Sequence, residues 1–169
     1  MTIYYKLSQL FGWNADAREA WWRKATRAAI VALIGGILLV AAIGKLLDNR
    51  FFAERLAAWQ LFPSWSLLAL GVVVSLSELL LAAWLFSGWR LAQVAVAAVL
   101  FHLGYIGGTV VTLLRGIRLP DCGCFGILFP HPLDWLMVWE DAFLALLCFV
   151  LYMLARAAPA PAQRRSSGP

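Results

Sequence analysis

The chain has 169 residues, of which 63% are hydrophobic and only 14% are charged. Soluble domains are about 45–50% apolar and about 25% charged, so this composition excludes a water-soluble globular domain. The formal net charge is +5, but the Lys and Arg residues stand at the ends of long apolar runs instead of forming one patch, which indicates membrane topology and not a nucleic-acid partner.

The residues before the first apolar run do not have the pattern of a secretory signal. They contain Asp16, Glu19, Trp21 and Trp22, and no A-x-A cleavage site follows promptly. We predict an amphipathic, interfacial segment over residues 1–27 that leads into a first span which is retained.

Four apolar stretches are each long enough to cross a hydrocarbon layer of about 30 Å as a helix of roughly 20 residues. They cover approximately residues 28–47, 67–86, 91–114 and 135–154. Because every backbone amide in lipid needs a hydrogen-bond partner, we predict an all-α four-helix transmembrane domain over residues 28–154. The Pro-, Ala- and Ser-rich stretch 155–169 has little to bury and is predicted to be a disordered tail.

The basic residues predict the orientation, since cytoplasmic flanks are enriched in Lys and Arg. An up-down bundle with both termini in the cytoplasm places nine basic residues inside and five outside. The nine are Lys6, Arg18, Arg23, Lys24, Arg27, Arg90, Arg156, Arg164 and Arg165, and the five are Lys45, Arg50, Arg55, Arg115 and Arg118. The loop 115–134 then faces away from the cytoplasm.

A short amphipathic segment lies between the first and second spans, over residues 51–61. It places Phe52, Leu56 and Trp59 on one side and Glu54 and Arg55 on another. The pattern predicts an interfacial helix that lies on the outer leaflet.

The loop 115–134 contains Cys122 and Cys124, separated by Gly123. Cysteines this close pair only through a small, strained ring, and strain makes a disulfide easier to exchange. Such a bond constrains little chain, so stability is a poor reason for it. We predict that the pair is catalytic in redox chemistry; the alternatives are inert thiols or a passive staple. A zinc site with His131 as third ligand fits poorly, because zinc usually has four ligands and Cys-x2-Cys spacing.

Two features near this pair would favour a thiolate. Arg115 and Arg118 are close in sequence, and the fourth span begins just after Asp134, which is placed to cap its positive N-terminus.

Ionisable residues within the spans are costly and suggest a site. Glu78 and His102 lie at similar depth, and we predict a hydrogen bond between them. Lys45, Glu140 and Asp141 are predicted to form an ion cluster beneath the cysteine loop. These five residues are interpreted as a polar site for a quinone headgroup or for proton transfer, the alternative being polar contacts that hold the helices together.

Small residues in the spans are predicted to permit close helix packing. They are Gly35, Gly36, Gly44, Gly104, Gly107 and Gly108. Cys148, among Leu and Phe in the fourth span, is predicted to be a small apolar filler.

Several of these features occur together in one known family. They are Gly44-Lys45-Leu46, Phe51 and Phe52 before Pro63, Glu78, and Asp121-Cys122-Gly123-Cys124-Phe125-Gly126. Over residues 28–154 the chain resembles the MauE branch of the DoxX-like membrane proteins. The resemblance implies a four-helix bundle in the bacterial inner membrane that supports redox maturation of periplasmic proteins. In methylamine utilisation such a protein works beside a thioredoxin-like partner during maturation of the disulfide-rich small subunit of methylamine dehydrogenase.

Three functions remain open at this point. The first is a thiol-disulfide oxidoreductase or its accessory; with one cysteine pair, it would pass electrons to a bound acceptor or to a second protein. The second is a non-catalytic structural or assembly subunit of a membrane redox complex. The third is a small transporter, for which Glu78 and His102 are the only indication.

Overall fold

The computed structural model of the protein describes residues 15–157, with side chains described from residue 21 onward. Residues 1–14 and 158–169, which hold much of the predicted interfacial segment and most of the predicted disordered tail, lie outside the described residues.

Five α-helices and one 3₁₀ turn make up the described part of the chain. They are α1 (Ala15–Leu47), α2 (Asn49–Ala58), the 3₁₀ turn (Ser64–Ser66), α3 (Leu67–Ser87), α4 (Leu91–Leu114) and α5 (Trp135–Arg156). An isolated antiparallel β-bridge joins Leu119 to Leu133 in the loop before α5.

Within residues 15–157, four segments are long and apolar enough to cross a membrane. They are Trp21–Leu47, Ser64–Ser87, Leu91–Leu114 and Trp135–Arg156. The prediction of an all-α four-helix membrane bundle is confirmed, and the predicted helix ends agree closely except that α1 begins at Ala15. The chain is therefore a multi-pass integral membrane protein.

The bundle consists of two closely packed helix pairs. α1 packs along α3 and α4 packs along α5, whereas α3 and α4 make much less contact with each other. At the start of the bundle Arg23 donates to the Ala157 carbonyl and Arg27 donates to the Leu154 carbonyl. The cationic end of α1 thus lies beside the carbonyl end of α5, an arrangement that the helix dipole favours, and both ends of the described bundle lie on one side.

The interior is layered along the bundle axis. Near the Arg27 side, an apolar core surrounds the fully buried Cys148, which confirms its predicted role as a filler. Near the other side, a second apolar cluster forms around Trp59, Cys122 and Leu133. Between these clusters lies a layer of buried polar side chains, described below.

The packing prediction for glycine is right at three positions and wrong at three. A side chain at Gly35, Gly44 or Gly108 would meet Phe86, the cysteine loop or Trp59 respectively, so these glycines do permit close approach. A Cβ at Gly36, Gly104 or Gly107 would meet open space.

The short helix α2 was predicted to be an interfacial helix on the outer leaflet, and the structure shows that its apolar side faces protein. Its apolar residues Phe52, Leu56 and Trp59 are only 2%, 7% and 4% exposed, because they pack against α3 and the cysteine loop. Asp48 caps the helix by accepting from the Phe51 amide at 2.9 Å. α2 therefore covers this end of the bundle.

Candidate functional site

The loop between α4 and α5 is closed at its base by a hydrogen bond between its two ends. The Leu133 amide donates to the Leu119 carbonyl at 2.9 Å, which closes its base. Above that base, an Asp121 carboxylate oxygen accepts from the amides of Gly123 and His131 at 3.0 and 3.4 Å. Its other oxygen forms an ion pair with Arg55 of α2 at 3.3 Å. The loop is thus ordered by its own backbone and tied to a neighbouring helix.

Cys122 and Cys124 are joined in a disulfide, the pairing predicted from their spacing. Gly123 between them has φ +77°, and a Cβ there would approach the Arg55 side chain to 2.7 Å. Both the backbone conformation and the space therefore require glycine at this position.

The cysteine loop sits directly on the end of α1. Gly44 and Gly126 are in backbone contact, and a side chain on Gly44 would strike the Phe125 carbonyl. The Ile127 amide donates to the Gly44 carbonyl at 3.3 Å. This close approach places the cysteine loop against the backbone of Gly44 and Lys45.

Lys45 is fully buried and reaches across to α3 and α4. Its ammonium group pairs with Glu78 Oε1 and donates to the Tyr105 hydroxyl at 2.9 Å, and that hydroxyl donates to Glu78 Oε1 at 2.7 Å. The ammonium also lies 5.1 Å from the centre of the Phe52 ring. A buried charge pair of this kind links three helices.

A second polar contact joins α4 to α5. His102 Nδ1 lies 3.0 Å from Asp141 Oδ1. The predicted pairing is therefore wrong in detail: Glu78 pairs with Lys45, and His102 pairs with Asp141. The lysine stem is long enough to turn inward toward α3, which sequence depth alone does not reveal.

Glu140 belongs to neither contact. It pairs with His131 of the cysteine loop at 2.9 Å, so the predicted cluster of Lys45, Glu140 and Asp141 does not form as such. The other ring nitrogen of His131 lies 3.1 Å from the Pro132 carbonyl. Both ring nitrogens of His131 therefore face oxygen acceptors.

The described residues contain no group of three His, Cys, Asp or Glu side chains placed to hold a metal ion. His131, considered and judged a poor candidate for a zinc ligand from the sequence, is engaged with Glu140.

A small cavity connects the disulfide to the polar side chains. Its volume is about 80 Å³. The polar and sulfur-bearing residues on its wall are Glu78, His102, Tyr105, Cys124, His131, Met137, Glu140 and Asp141. Four of the five residues predicted for a polar site thus line one space beside Cys124, and Lys45 joins it through Glu78.

Two buried atoms at this cavity have no hydrogen-bond partner among the described residues. They are Glu78 Oε2 and His102 Nε2. Buried polar atoms are rarely left unpaired, so the cavity calls for a polar occupant. Small-molecule sites usually measure about 300–1,000 Å³ and one water takes about 30 Å³, so the size suits two or three waters and not a quinone ring.

An apolar groove of about 290 Å³ lies between α3 and α4, beneath α2. Its wall includes Trp59, Phe101 and Tyr105. Tyr105 therefore separates the groove from the polar cavity, and a ring such as that of a quinone has more room here.

The arginine that pairs with the cysteine loop is not one that the sequence indicated. Arg115 donates to the Gln60 carbonyl at 2.7 Å, whereas Arg55 pairs with Asp121 in the cysteine loop. Asp134 does cap α5, as predicted, by accepting from the Leu136 and Met137 amides. Tyr105 was also missed, although a tyrosine in the middle of an apolar span is itself a signal for a buried hydrogen bond.

The fold and the site together define a multi-pass membrane protein with a cysteine pair in a loop at one end and buried ionisable groups beneath it. Residues 23–154 match the family model described as methylamine utilisation protein MauE. Because this match covers most of the chain, the protein belongs to the MauE family.

A curated relative supports the assignment. Methylamine utilization protein MauE from Paracoccus denitrificans is 26% identical over 133 residues, which cover 78% of this chain and 72% of that protein. No solved structure gives a significant match. The segments that carried the sequence resemblance, Gly44-Lys45-Leu46, Glu78 and Asp121–Gly126, meet in space, since the cysteine loop rests on Gly44 and Lys45 pairs with Glu78.

Proposed function

We propose that this protein exchanges disulfides with a periplasmic, thioredoxin-like partner through Cys122 and Cys124, as part of redox maturation in methylamine utilisation. The observation that carries the proposal is the position of the disulfide. It lies in a glycine-shaped loop at one end of a membrane bundle, and Cys124 lines a cavity with ionisable side chains. A purely structural cross-link between residues two apart would contribute little stability, so exchange is the better use of this bond.

The proposal places the loop on the periplasmic face of the bacterial inner membrane, with both termini in the cytoplasm. Its support is the excess of basic residues on the opposite side, where Arg23, Arg27, Arg90 and Arg156 flank the helix ends. The periplasm is kept oxidising, which suits a disulfide at this loop.

The polar cavity serves the exchange as a water-filled proton site. Glu78 Oε2 and His102 Nε2 offer unpaired hydrogen-bonding atoms to water, and Asp141 orients the imidazole of His102. Glu140 and His131 stand beside the same space. Thiol-disulfide exchange moves protons as thiols become thiolates, so a proton donor and acceptor next to Cys124 is useful. The quinone suggested by the sequence stays a prediction, and the apolar groove is the better place for it.

The decisive experiment is trapping of mixed disulfides in intact cells. Cells that produce the wild type or the Cys122→Ser, Cys124→Ser double variant are quenched with acid, alkylated and analysed without reductant. Mixed disulfides are expected in the wild type and should be absent in the double variant. Cys148→Ser is the matched control, because that cysteine is buried in the opposite apolar core. Equal trapping in the double variant would refute the proposal.

Topology is tested separately by a membrane-impermeant maleimide after mild external reduction, in the Cys148→Ser background. Labelling of the pair from outside intact cells is expected. Labelling that requires access to the cytosol would refute the orientation.

A non-catalytic assembly subunit is the second candidate. The exposed pair Trp21 and Trp22, 59% and 58% exposed with ring centres 4.8 Å apart, offers an aromatic contact for another membrane protein. Full activity of the surrounding redox system with the double cysteine variant would favour this candidate over exchange.

A further inference from the structure

The two sulfurs of the disulfide lie in different environments. Cys122 is completely buried, packed among Trp59, Leu133 and Met137. Cys124 is partly exposed and lies on the wall of the polar cavity. An incoming thiolate must reach a sulfur along the S–S bond, so burial of one sulfur decides which one is attacked.

Cys122 is also fixed at both its backbone groups. Its amide donates to the His131 carbonyl at 2.6 Å, and its carbonyl accepts from the Trp59 indole at 3.2 Å. The residue therefore stays in place when the bond to Cys124 opens.

The Cys122 sulfur already faces a hydrogen-bond donor. The backbone N–H of Cys124 points at it from 3.1 Å. A hydrogen bond to an ionised acceptor is roughly twice as strong as one between neutral groups. A backbone donor is thus already in place to stabilise negative charge on the Cys122 sulfur as it leaves.

Resting on the proposed exchange function, we propose that Cys124 is the sulfur attacked by the partner and that Cys122 is the leaving and resolving sulfur. The thiolate of a partner dithiol bonds to Cys124 Sγ while the Cys122–Cys124 bond breaks. The electron pair of that bond departs on the Cys122 sulfur, which takes up the proton that the partner thiol lost. The partner's second thiolate then displaces Cys124 and forms the partner's disulfide. The partner loses two electrons and two protons, and the cysteine pair gains them.

The open side of the cavity indicates the approach. The Glu140 side chain is 48% exposed and that of its partner His131 is 22% exposed, so this pair lies where the cavity meets its surroundings. His131 therefore stands beside the path of a thiolate that arrives at Cys124.

The test uses the full-length protein in its disulfide form, in the Cys148→Ser background, and reduced glutathione as the probe. A brief reaction is quenched with acid, free thiols are alkylated, and the modified cysteines are mapped by mass spectrometry. Glutathione on Cys124 with alkylated Cys122 is expected in an excess of about tenfold or more over the reverse, the ratio that a barrier difference of about 1.36 kcal/mol produces.

Each outcome separates the two proposals. Equal adducts, or a preference for Cys122, would overturn the assignment of the attacked sulfur while leaving exchange itself intact. Formation of neither adduct would overturn the exchange function and this assignment with it. Run in reverse, the exchange has the Cys124 thiolate attack a partner disulfide and Cys122 then displace the partner. In cells, Cys122→Ser should therefore retain a mixed disulfide with the oxidised partner, and Cys124→Ser should not; the reverse pattern would also overturn the assignment.

Discussion

Replacing Lys45 with methionine tests whether the buried polar layer is ionic. Lys45 is 0% exposed and Glu78 is 2% exposed, so neither group reaches bulk water when its partner is lost. Removing one member of a buried ion pair costs about 3–5 kcal/mol, whereas a neutral hydrogen bond between membrane helices averages about 0.6 kcal/mol. At about 2–4 °C per kcal/mol for a chain of this size, Lys45→Met should lower the thermal midpoint by about 6–20 °C.

Compensation provides the internal check. The triple variant Lys45→Met, Glu78→Leu, Tyr105→Phe removes every polar atom of this contact, so no buried charge or hydroxyl is left unpaired. It should recover most of the lost stability, because apolar replacement of a buried pair is often close to neutral. Midpoints are measured in one detergent by loss of the monodisperse gel-filtration peak. Leu80→Ala is the control, because the Leu80 side chain of α3 is 68% exposed. The buried ion pair would be refuted if Lys45→Met lowered the midpoint no more than the control did. It would also be refuted if the triple variant had a midpoint no higher than that of Lys45→Met.

Gly44→Ala should loosen the cysteine loop, since its Cβ would strike a backbone carbonyl of that loop, and overpacking costs about 1–3 kcal/mol. Hydrogen exchange in the loop should rise in Gly44→Ala and not in Gly36→Ala, whose Cβ meets open space; equal exchange in both would contradict this. Trp59→Phe leaves a buried cysteine carbonyl without its donor and should cost about 1–3 kcal/mol in thermal stability, while Trp65→Phe, at an 85% exposed position, should cost little; similar losses would count against the hydrogen bond. Arg27→Met removes a donor to the end of α5 and should increase proteolysis at that end, and an unchanged cleavage rate would argue that the contact is dispensable.

The four spans could be predicted from the sequence because lipid imposes a simple rule. An apolar run of about 20 residues has few alternatives to a spanning helix, so the ends of α3, α4 and α5 agree with the prediction to within two residues. The disulfide partners could likewise be predicted, because only Gly123 separates Cys122 from Cys124 along the chain.

The partners of the buried charges could not be predicted with the same ease. Depth along the bundle places Glu78 level with His102 and Lys45 nearer the cysteine loop, but it does not specify the rotation of each helix about its axis. That rotation directs Glu78 toward Lys45 and Tyr105, and His102 toward Asp141. The packing of the apolar helix faces fixes this rotation, and that packing is known only from the three-dimensional structure.

The contact between α2 and the cysteine loop could not be predicted from the sequence either. An amphipathic ten-residue helix suits a lipid surface and a protein surface equally well. The periodicity of α2 therefore does not indicate which of the two surfaces its apolar side contacts. The choice depends on Phe52, Leu56 and Trp59 finding α3 and the cysteine loop beneath them, and that loop is far away along the chain.

The cysteine loop joins α4 to α5, the two helices in most extensive contact, and its base is closed by the bridge between Leu119 and Leu133. The sulfurs therefore sit on a loop whose two ends are held together by these contacts. In any encounter, reach and conformational adjustment must be supplied by the other protein. A short, mobile segment bearing its own cysteines would suit this stationary target better than a rigid, deeply recessed pair.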